Sequence, residues 1–168
     1  MFTTDELVVY PAQGVGKIEG IDCKDIGGVA CEFYVVRIRG NNITLMVPVS
    51  NAAHVGLRHL VTAEKAQAIL DSLRAGTQKT VHPGQNWNRR FREYSERLKS
   101  PDLAEVMEVL RELLIVGRAK ELSFGERRLQ EQAMNLVSGE LAEVLNLSEA
   151  DLRNELHEIY APPHPVTT

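Results

Sequence analysis

The sequence predicts an α+β protein, with a small N-terminal antiparallel β-barrel followed by an all-helical C-terminal domain. Up to about Pro48 the chain is rich in β-forming residues, and Gly27-Gly28 and Gly40-Asn41-Asn42 interrupt it as turns. From Thr62 onward the apolar residues recur at helical spacing instead. This change of period within 168 residues is typical of a fold whose strands and helices are segregated.

Four short strands are expected in the first part of the chain, at residues 7–10, 16–21, 33–38 and 43–48. So many strands in so short a segment imply a small antiparallel barrel, and such barrels are commonly adaptor modules. Pro48 ends the fourth strand or marks it as an edge, because proline cannot donate to a ladder. An edge strand that exposes Met46 and Val47 can pair with a partner's strand, although an edge covered by the helical half fits the sequence equally well.

Five helices are expected after the barrel, and a residue that can cap free backbone N–H groups precedes each of them. The starts are Thr62, the turn before Trp87, Ser100-Pro101, the capping box Ser123-Phe124-Gly125-Glu126, and Ser148. Gly76 ends the first helix, and the proline-rich residues 162–168 are expected to form a disordered tail. The expected domains are therefore residues 1–60 and 61–161.

The charge and the ends of the chain exclude several function classes. A net charge of −4 argues against a protein that coats nucleic acid over its whole surface, so any DNA contact must be local. Residues 140–160 carry six acidic side chains and one arginine, and we expect this end to face away from DNA. The first residues lack the pattern of a signal peptide and no run is long enough to cross a membrane, so a cytoplasmic protein is expected.

No residue pattern indicates catalysis or a bound cofactor. The five histidines are scattered and none lies in a nucleophile or metal motif, so we expect no catalytic residue, no metal ligand and no enzyme activity. Cys23 and Cys31 lie eight residues apart without a second pair, which is not a zinc-binding spacing. Both are expected to be reduced strand residues; the alternative is that they face each other across a hairpin.

The chain's single tryptophan lies beside its tightest arginine cluster. Asn86 is a suitable cap for a helix that starts at or next to Trp87. The first turn and a half of this helix then holds three arginines, Arg89, Arg90 and Arg92. A helix start already favours anions, so arginines placed there suit phosphate groups. An indole beside them can lie in a DNA groove and wedge against a base step.

The competing interpretation of this stretch is a helix that buries its tryptophan in a core and keeps its charges in solvent. The residues on either side of Trp87 are polar, which argues against that interpretation. Phe91, Tyr94 and Leu98 recur at helical spacing and are better candidates for the buried stripe.

Several short fragments occur in a characteristic order along the chain. They are Val8-Val9-Tyr10-Pro11-x-x-Gly14-Val15-Gly16, Val47-Pro48-x-x-Asn51-Ala52, Val55-Gly56-Leu57-Arg58, Asn86-Trp87-x-Arg89-Arg90-Phe91, Leu122-Ser123-x-x-Glu126-Arg127 and Gly139-Glu140-Leu141-Ala142. Each fragment alone is weakly specific, but the ordered set resembles the CarD-like transcription regulators, the CarD/CdnL family of bacteria. The resemblance covers nearly the whole chain.

The resemblance implies a Tudor-like N-terminal domain that binds the β subunit of RNA polymerase, similar to a module of the transcription-repair coupling factor. It also implies a helical domain that contacts promoter DNA, without reading its sequence, at the upstream edge of the melted −10 region. Trp87 would act there as a minor-groove wedge that holds the open complex. The other DNA-contacting positions would be Asn86, Arg89, Arg90 and Arg92.

On the polymerase side, the resemblance implies contacts from residues of the first hairpin and of the fourth strand. They are Lys24, Asp25, Met46, Val47 and Pro48. Lys24 and Met46 each stand where the family has an arginine. Because no charge contact is available at Met46, main-chain pairing or apolar contact must replace it. The protein is expected to act as a monomer and without a cofactor.

Two other hypotheses remain compatible with part of the sequence. One is a protein-interaction adaptor whose helical domain docks a protein partner through Trp87 without touching DNA. The other is a free, sequence-specific repressor, which the acidic net charge and the lack of a two-helix reading motif disfavour.

Overall fold

Strands precede helices along the chain, so the predicted α+β class is confirmed. The computed structural model describes residues 1–76 and 87–161, and at positions 87 and 88 it describes the backbone only. The chain divides into two compact units, Met1–Leu60 and Val61–Thr168. In the part of the chain that is described, no helix is both long and apolar enough to cross a bilayer.

The first unit is a curled, four-stranded antiparallel sheet that forms a half-barrel. Its strands are β1 (Leu7–Tyr10), β2 (Gly14–Ile26), β3 (Val29–Ile38) and β4 (Thr44–Pro48), and they pair in that order. The register of β2 on β3 shifts between Ile18 and Gly20, and a bulge of this kind bends a strand. The segment after β4 returns to β1, where Val9 N donates to Arg58 O at 2.8 Å. Curling encloses a core on one face of the sheet.

Alternate strand residues fill that core because successive side chains in a strand point to opposite faces. The buried residues are Val8, Ile18, Tyr34, Val36, Ile38 and Val47, joined by Ala52 and Leu57 from the segment after β4. The ring of Phe2 packs edge-on against Tyr34, with 5.5 Å between the centroids. The prediction that β4 exposes Val47 is wrong, because this side chain is only 3% exposed.

Strands β2 and β3 extend well beyond the rest of the sheet as a two-stranded arm. The arm closes in a two-residue turn at Gly27 and Gly28, whose positive φ angles of 61° and 83° suit a tight hairpin. The turn was predicted, but the strands are longer than predicted. Since all residues from 21 to 30 are exposed, the arm has no buried face and hence no apolar alternation to mark it.

The two cysteines lie on this arm and do not face each other. Cys23 pairs with Glu32, whereas Cys31 pairs with Lys24. Directly paired residues share a face and neighbouring pairs alternate, so the two thiols project from opposite faces. The alternative of cysteines facing each other across the hairpin is therefore wrong, and both cysteines are free.

The second unit is helical. Its helices are α1 (Ala63–Arg74), α2 (Trp87–Leu98), α3 (Leu103–Ala119), α4 (Phe124–Leu145) and α5 (Glu149–Ile159). The predicted caps of α1 and α5 are confirmed, with Thr62 Oγ1 accepting from Lys65 N and Ser148 Oγ from Asp151 N. The predicted cap Asn86 and the tail at 162–168 lie outside the described residues.

The start of α3 differs from the prediction. Its cap is Asp102, whose carboxylate accepts from Ala104 N at 3.0 Å, and the helix begins at Leu103. Ser100 instead accepts from Asp102 N at 3.1 Å. Asp102 directly precedes the first apolar residue of the stripe, so its side chain reaches the free N–H groups and leaves Pro101 outside the helix.

The capping box at the start of α4 is confirmed and contains a nearly buried carboxylate. Ser123 Oγ accepts from Glu126 N at 3.2 Å, and the Glu126 carboxylate accepts from Ser123 N at 3.0 Å. Burial alone would raise the pKa of Glu126, but the hydrogen bonds from Ser123 and the charge of Lys120, 3.4 Å away, together hold that pKa below its ordinary value. The ionised box therefore stabilises the folded state.

The helical unit should lose stability in acid through Glu126. A carboxylate whose pKa is lowered by folding contributes stability above its unfolded pKa, about 4.3, and that contribution disappears as the pH falls through the folded pKa. We expect the free energy of unfolding of wild type to fall toward that of Glu126→Gln between about pH 5 and pH 3. Urea unfolding at several pH values measures this. Glu121→Gln, at a side chain 85% exposed, is the control and should follow wild type; parallel curves for wild type and Glu126→Gln would contradict the prediction.

Candidate functional site

The predicted arginine cluster forms the first turns of α2, which is helical from Trp87 onward. Arg89 and Arg92 are exposed, as a contact with phosphate requires. The side chain of Trp87 and the whole of Asn86 lie outside the described residues. The structure thus presents two of the three predicted arginines to solvent.

Arg90, the third arginine, lies on the buried face of α2. It is 8% exposed, and its Nε atom has no hydrogen-bond partner within the described ranges. Tyr94 and Leu98 follow it at helical spacing and are 4% and 1% exposed. An arginine can occupy such a stripe because its aliphatic stem covers apolar surface.

The buried stripe of α2 agrees with the predicted one at Tyr94 and Leu98 and differs at its first residue. Phe91, which was predicted to lie in it, is 41% exposed, and Arg90 takes the position instead. That part of the prediction is wrong because hydrophobic periodicity assigns a charged residue to the solvent side. The spacing of four residues from Arg90 to Tyr94 and from Tyr94 to Leu98 is a local signal for burial of Arg90, but Phe91, three residues before Tyr94, fits the same face and is apolar.

A polar clamp joins α2 to α3 behind the arginine cluster. The buried phenol of Tyr94 lies within the electrostatic influence of the Glu112 carboxylate, and Arg97 Nη1 lies 3.6 Å from Glu112 Oε1. Burial of the phenol and the negative charge of Glu112 both raise the pKa of Tyr94. The Tyr94 phenol therefore stays neutral beside Glu112, while the buried side chains of Tyr94 and Leu98 attach α2 to the helical core.

The predicted polymerase-contacting residues of the sheet lie on more than one face. Lys24 pairs with Cys31 and Met46 with Val35, and the two β3 residues are an even number of positions apart, so all four share a face. This face is the outer one, because Tyr34, of opposite parity, lies in the core. Lys24 is exposed and Met46 is 38% exposed. The structure thus brings these two predicted residues to one solvent-facing surface.

The remaining predicted contacts are placed differently. Asp25 is exposed but lies on the opposite face of the arm from Lys24, where it pairs with Ala30. Val47 projects into the core, and Pro48 is half-buried at the end of β4. Direct side-chain contact with a partner is therefore open to Lys24, Asp25 and Met46, and Val47 can contribute only through its backbone.

One conspicuous exposed aromatic was not predicted. Phe124 is the first residue of α4 and is 83% exposed. The capping box predicted that a helix starts here, but it does not determine whether the side chain of the first helical residue is buried or exposed. Among the residues that are described, no group of three or more His, Cys, Asp or Glu side chains is placed to hold a metal ion.

The clamp should be measurable as a coupling between Tyr94 and Glu112. We expect Tyr94→Phe to lower the free energy of unfolding of the helical unit by about 1–2 kcal/mol, because the interaction of the buried hydroxyl with the charged Glu112 is lost. The double variant with Glu112→Ala should cost less than the sum of the single variants. Denaturant unfolding of the four proteins measures the coupling, and additive effects would show that the two side chains do not interact.

Comparison with known proteins assigns both units. Residues 2–61 match the domain family "CarD-like/TRCF RID domain" and residues 68–157 match "CarD, C-terminal domain". The Bacillus subtilis (strain 168) protein named "Putative transcription factor YdeB" is 25% identical over 154 residues, covering 92% of this chain and 99% of that protein. The solved structure "CdnLNt from Myxoccoccus xanthus" is 39% identical, covers 36% of this chain and 86% of its own, and has a TM-score of 0.32. With one CarD domain matched to each unit, the chain belongs to the CarD/CdnL family of transcription factors.

Proposed function

We propose that this protein is a transcription regulator that binds the RNA polymerase β subunit through its N-terminal domain and stabilises the open promoter complex through the start of α2. The observation that carries the proposal is the exposed pair Arg89 and Arg92 on the first turns of a helix that a second helix holds in place. The helix belongs to a chain matched over most of its length to CarD domains.

Polymerase binding is assigned to the outer face of the sheet. Support comes from the match of residues 2–61 to the CarD-like/TRCF RID domain and from the exposure of Lys24 and Met46 on one face. Strand β4 lies at the end of the sheet order, so its outer edge is available for pairing with a strand of the polymerase. Asp25 would add a side-chain contact beside this surface, and Val47 and Pro48 would contribute through their backbone.

DNA contact is assigned to the start of α2. Arg89 and Arg92 suit phosphate groups, and phosphate contacts position a protein without reading sequence. Trp87 would insert from the minor groove, with Asn86 at the cap. We assign Arg90 a supporting role on the buried face, since 92% of its surface is hidden from solvent. The protein's net charge of −4 confines attraction for DNA to this local cluster.

Polymerase binding makes a weak DNA contact sufficient. Tethering two sites by a short connection raises the effective concentration of the second contact to roughly the millimolar range. An aromatic contact with a distorted base step is worth about 1–3 kcal/mol, and it stabilises the open complex only by as much as it prefers melted over closed DNA. This corresponds to roughly a 5- to 150-fold longer lifetime.

Replacement of Trp87 by alanine should shorten the lifetime of the open complex on a weak promoter and leave the affinity for polymerase unchanged. The physical reason is that the tryptophan would shift the equilibrium between closed and melted promoter DNA, whereas the β-sheet domain would bind the polymerase. The decay of heparin-resistant complexes and the equilibrium affinity for polymerase measure the two effects.

Phe124→Ala is a matched control for that experiment. Phe124 is also an aromatic residue at the start of a helix, it is 83% exposed, and it lies outside the proposed wedge. We expect it to preserve the lifetime, while Lys24→Glu should weaken polymerase affinity. An unchanged lifetime in Trp87→Ala would reject the wedge and favour an adaptor that docks a protein.

The double variant Arg89→Gln, Arg92→Gln should bind duplex DNA more weakly, regardless of sequence. Each lost phosphate contact should also reduce the salt slope of log K by about 0.9. Titration of labelled duplex at several salt concentrations measures both quantities. Arg128→Gln, on the exposed side of α4, is the control, because it also removes one positive charge per substitution. If it lost as much DNA affinity per charge removed, the effect would come from the total charge of the protein.

A further inference from the structure

The segment that connects the two units is anchored to the β-sheet unit as far as His59. Arg58 exchanges two backbone hydrogen bonds with Val9, at 2.8 and 3.1 Å, as paired residues of an antiparallel ladder do. His59 Nδ1 lies 2.9 Å from Glu6 Oε1, and the ring of His59 packs against that of Phe2, with 4.9 Å between the centroids. The first unit therefore holds the chain up to and including His59.

The helical unit holds the chain again from Val61 onward. Val61 is partly buried against the helical core, and its N–H donates to Glu140 Oε2 at 2.9 Å. The next residue, Thr62, caps α1 by accepting from Lys65 N at 3.2 Å. Within residues 57–62, all of which the structure describes, Leu60 is thus the only residue without a hydrogen bond to either unit.

Glu140 makes this contact from a position where a carboxylate is unfavourable, because its side chain is only 1% exposed. A buried carboxylate loses its hydration and is tolerated where hydrogen bonds replace the lost water. The N–H of Val61, 79 residues away along the chain, is such a partner. An apolar residue would fill the same place without that cost, but it would offer the N–H of Val61 no acceptor. The particular effect of the carboxylate is therefore on the connecting segment.

We propose that Glu140 is a positioning residue that fixes Val61 and so shortens the movable part of the connection between the units to Leu60. A residue other than glycine has few allowed combinations of φ and ψ, so a single such residue allows few orientations of the chain that follows it. The consequence for transcription rests on the proposed function. Once the β-sheet unit has bound polymerase, a restricted connection would bring the start of α2 to DNA within a narrow range of positions, which lowers the entropic cost of the contact.

Hydrogen exchange of the Val61 amide, measured by NMR on the full-length protein without polymerase, tests the contact. Glu140→Leu removes the acceptor, so we expect this amide to exchange roughly 10- to 100-fold faster. Glu140→Gln keeps an acceptor oxygen and should stay within about threefold of wild type. Glu158→Leu, at an exposed glutamate of α5, is the matched control and should leave the exchange rate unchanged.

The amides of the α3 core separate a local effect from a general loss of stability, since they exchange only when the helical unit unfolds. Acceleration confined to the connecting segment supports the proposal. Equal acceleration of the α3 amides in Glu140→Leu would mean that Glu140 only stabilises the helical unit, and an unchanged rate at Val61 would mean that Glu140 does not hold it. Either of these two results overturns the proposal.

An insertion of Gly-Ser-Gly-Ser after Leu60 tests the consequence for transcription and leaves Glu140 and both cores intact. Four residues add up to about 14 Å of reach. We expect the lifetime of the open complex to fall to that of polymerase alone, while the affinity for polymerase stays unchanged. A flexible tether lengthened from about six to about ten residues would instead change the effective concentration only about twofold.

The outcomes of the insertion experiment are distinguishable. A lifetime within about twofold of wild type would show that the connection is already flexible and would overturn the proposal. A wild-type protein that neither binds polymerase nor prolongs the lifetime would reject the proposed function itself. In that case the exchange rate of the Val61 amide, which needs no polymerase, would still decide the role of Glu140.

Discussion

The attachment of α2 to α3 is the constraint on which the proposed DNA contact depends. Arg90, Tyr94 and Leu98 occupy one stripe of α2 and are buried. Successive residues of a helix are rotated by about 100°, so a stripe fixed at Arg90 turns Arg89 and Arg92 away from the core. Exposure of the proposed phosphate-binding side chains is therefore a consequence of packing on the opposite side of the same helix.

The same principle operates in the sheet with a period of two. Val47 fills the half-barrel core, and this requires its neighbour Met46 to point to the outer face. The ladder to β3 also determines that the backbone N–H and C=O groups of Met46 point away from β3. One residue thus has both its main-chain groups and its side chain on the outer side of the sheet. In both units, the residues that are buried on one face of a helix or strand determine which residues are exposed on its other face.

The number of charged residues in a segment does not by itself give the charge of the surface, because packing buries or pairs some of them. Glu140, one of the six acids in residues 140–160, is 1% exposed and accepts a hydrogen bond from Val61 N at 2.9 Å. Glu155 from the same segment forms an ion pair with Arg74 at 2.6 Å. Part of that acidic segment consequently serves the helical fold. The local positive field near α2 comes from the few arginines that packing leaves exposed.

The sequence by itself determined the order of strands and helices, the Gly27-Gly28 turn, and the helix starts at Thr62, Ser123 and Ser148. These features depend on residues within about four positions of one another, so their signals are local. Asp102 and Ser100 are both local candidates for the cap of α3, and the structure has Asp102 there; only the tertiary structure decided that Arg90 is buried. Burial of Arg90 depends on how α2 packs against distant helices of the core, and no local pattern encodes a contact with residues so far along the chain.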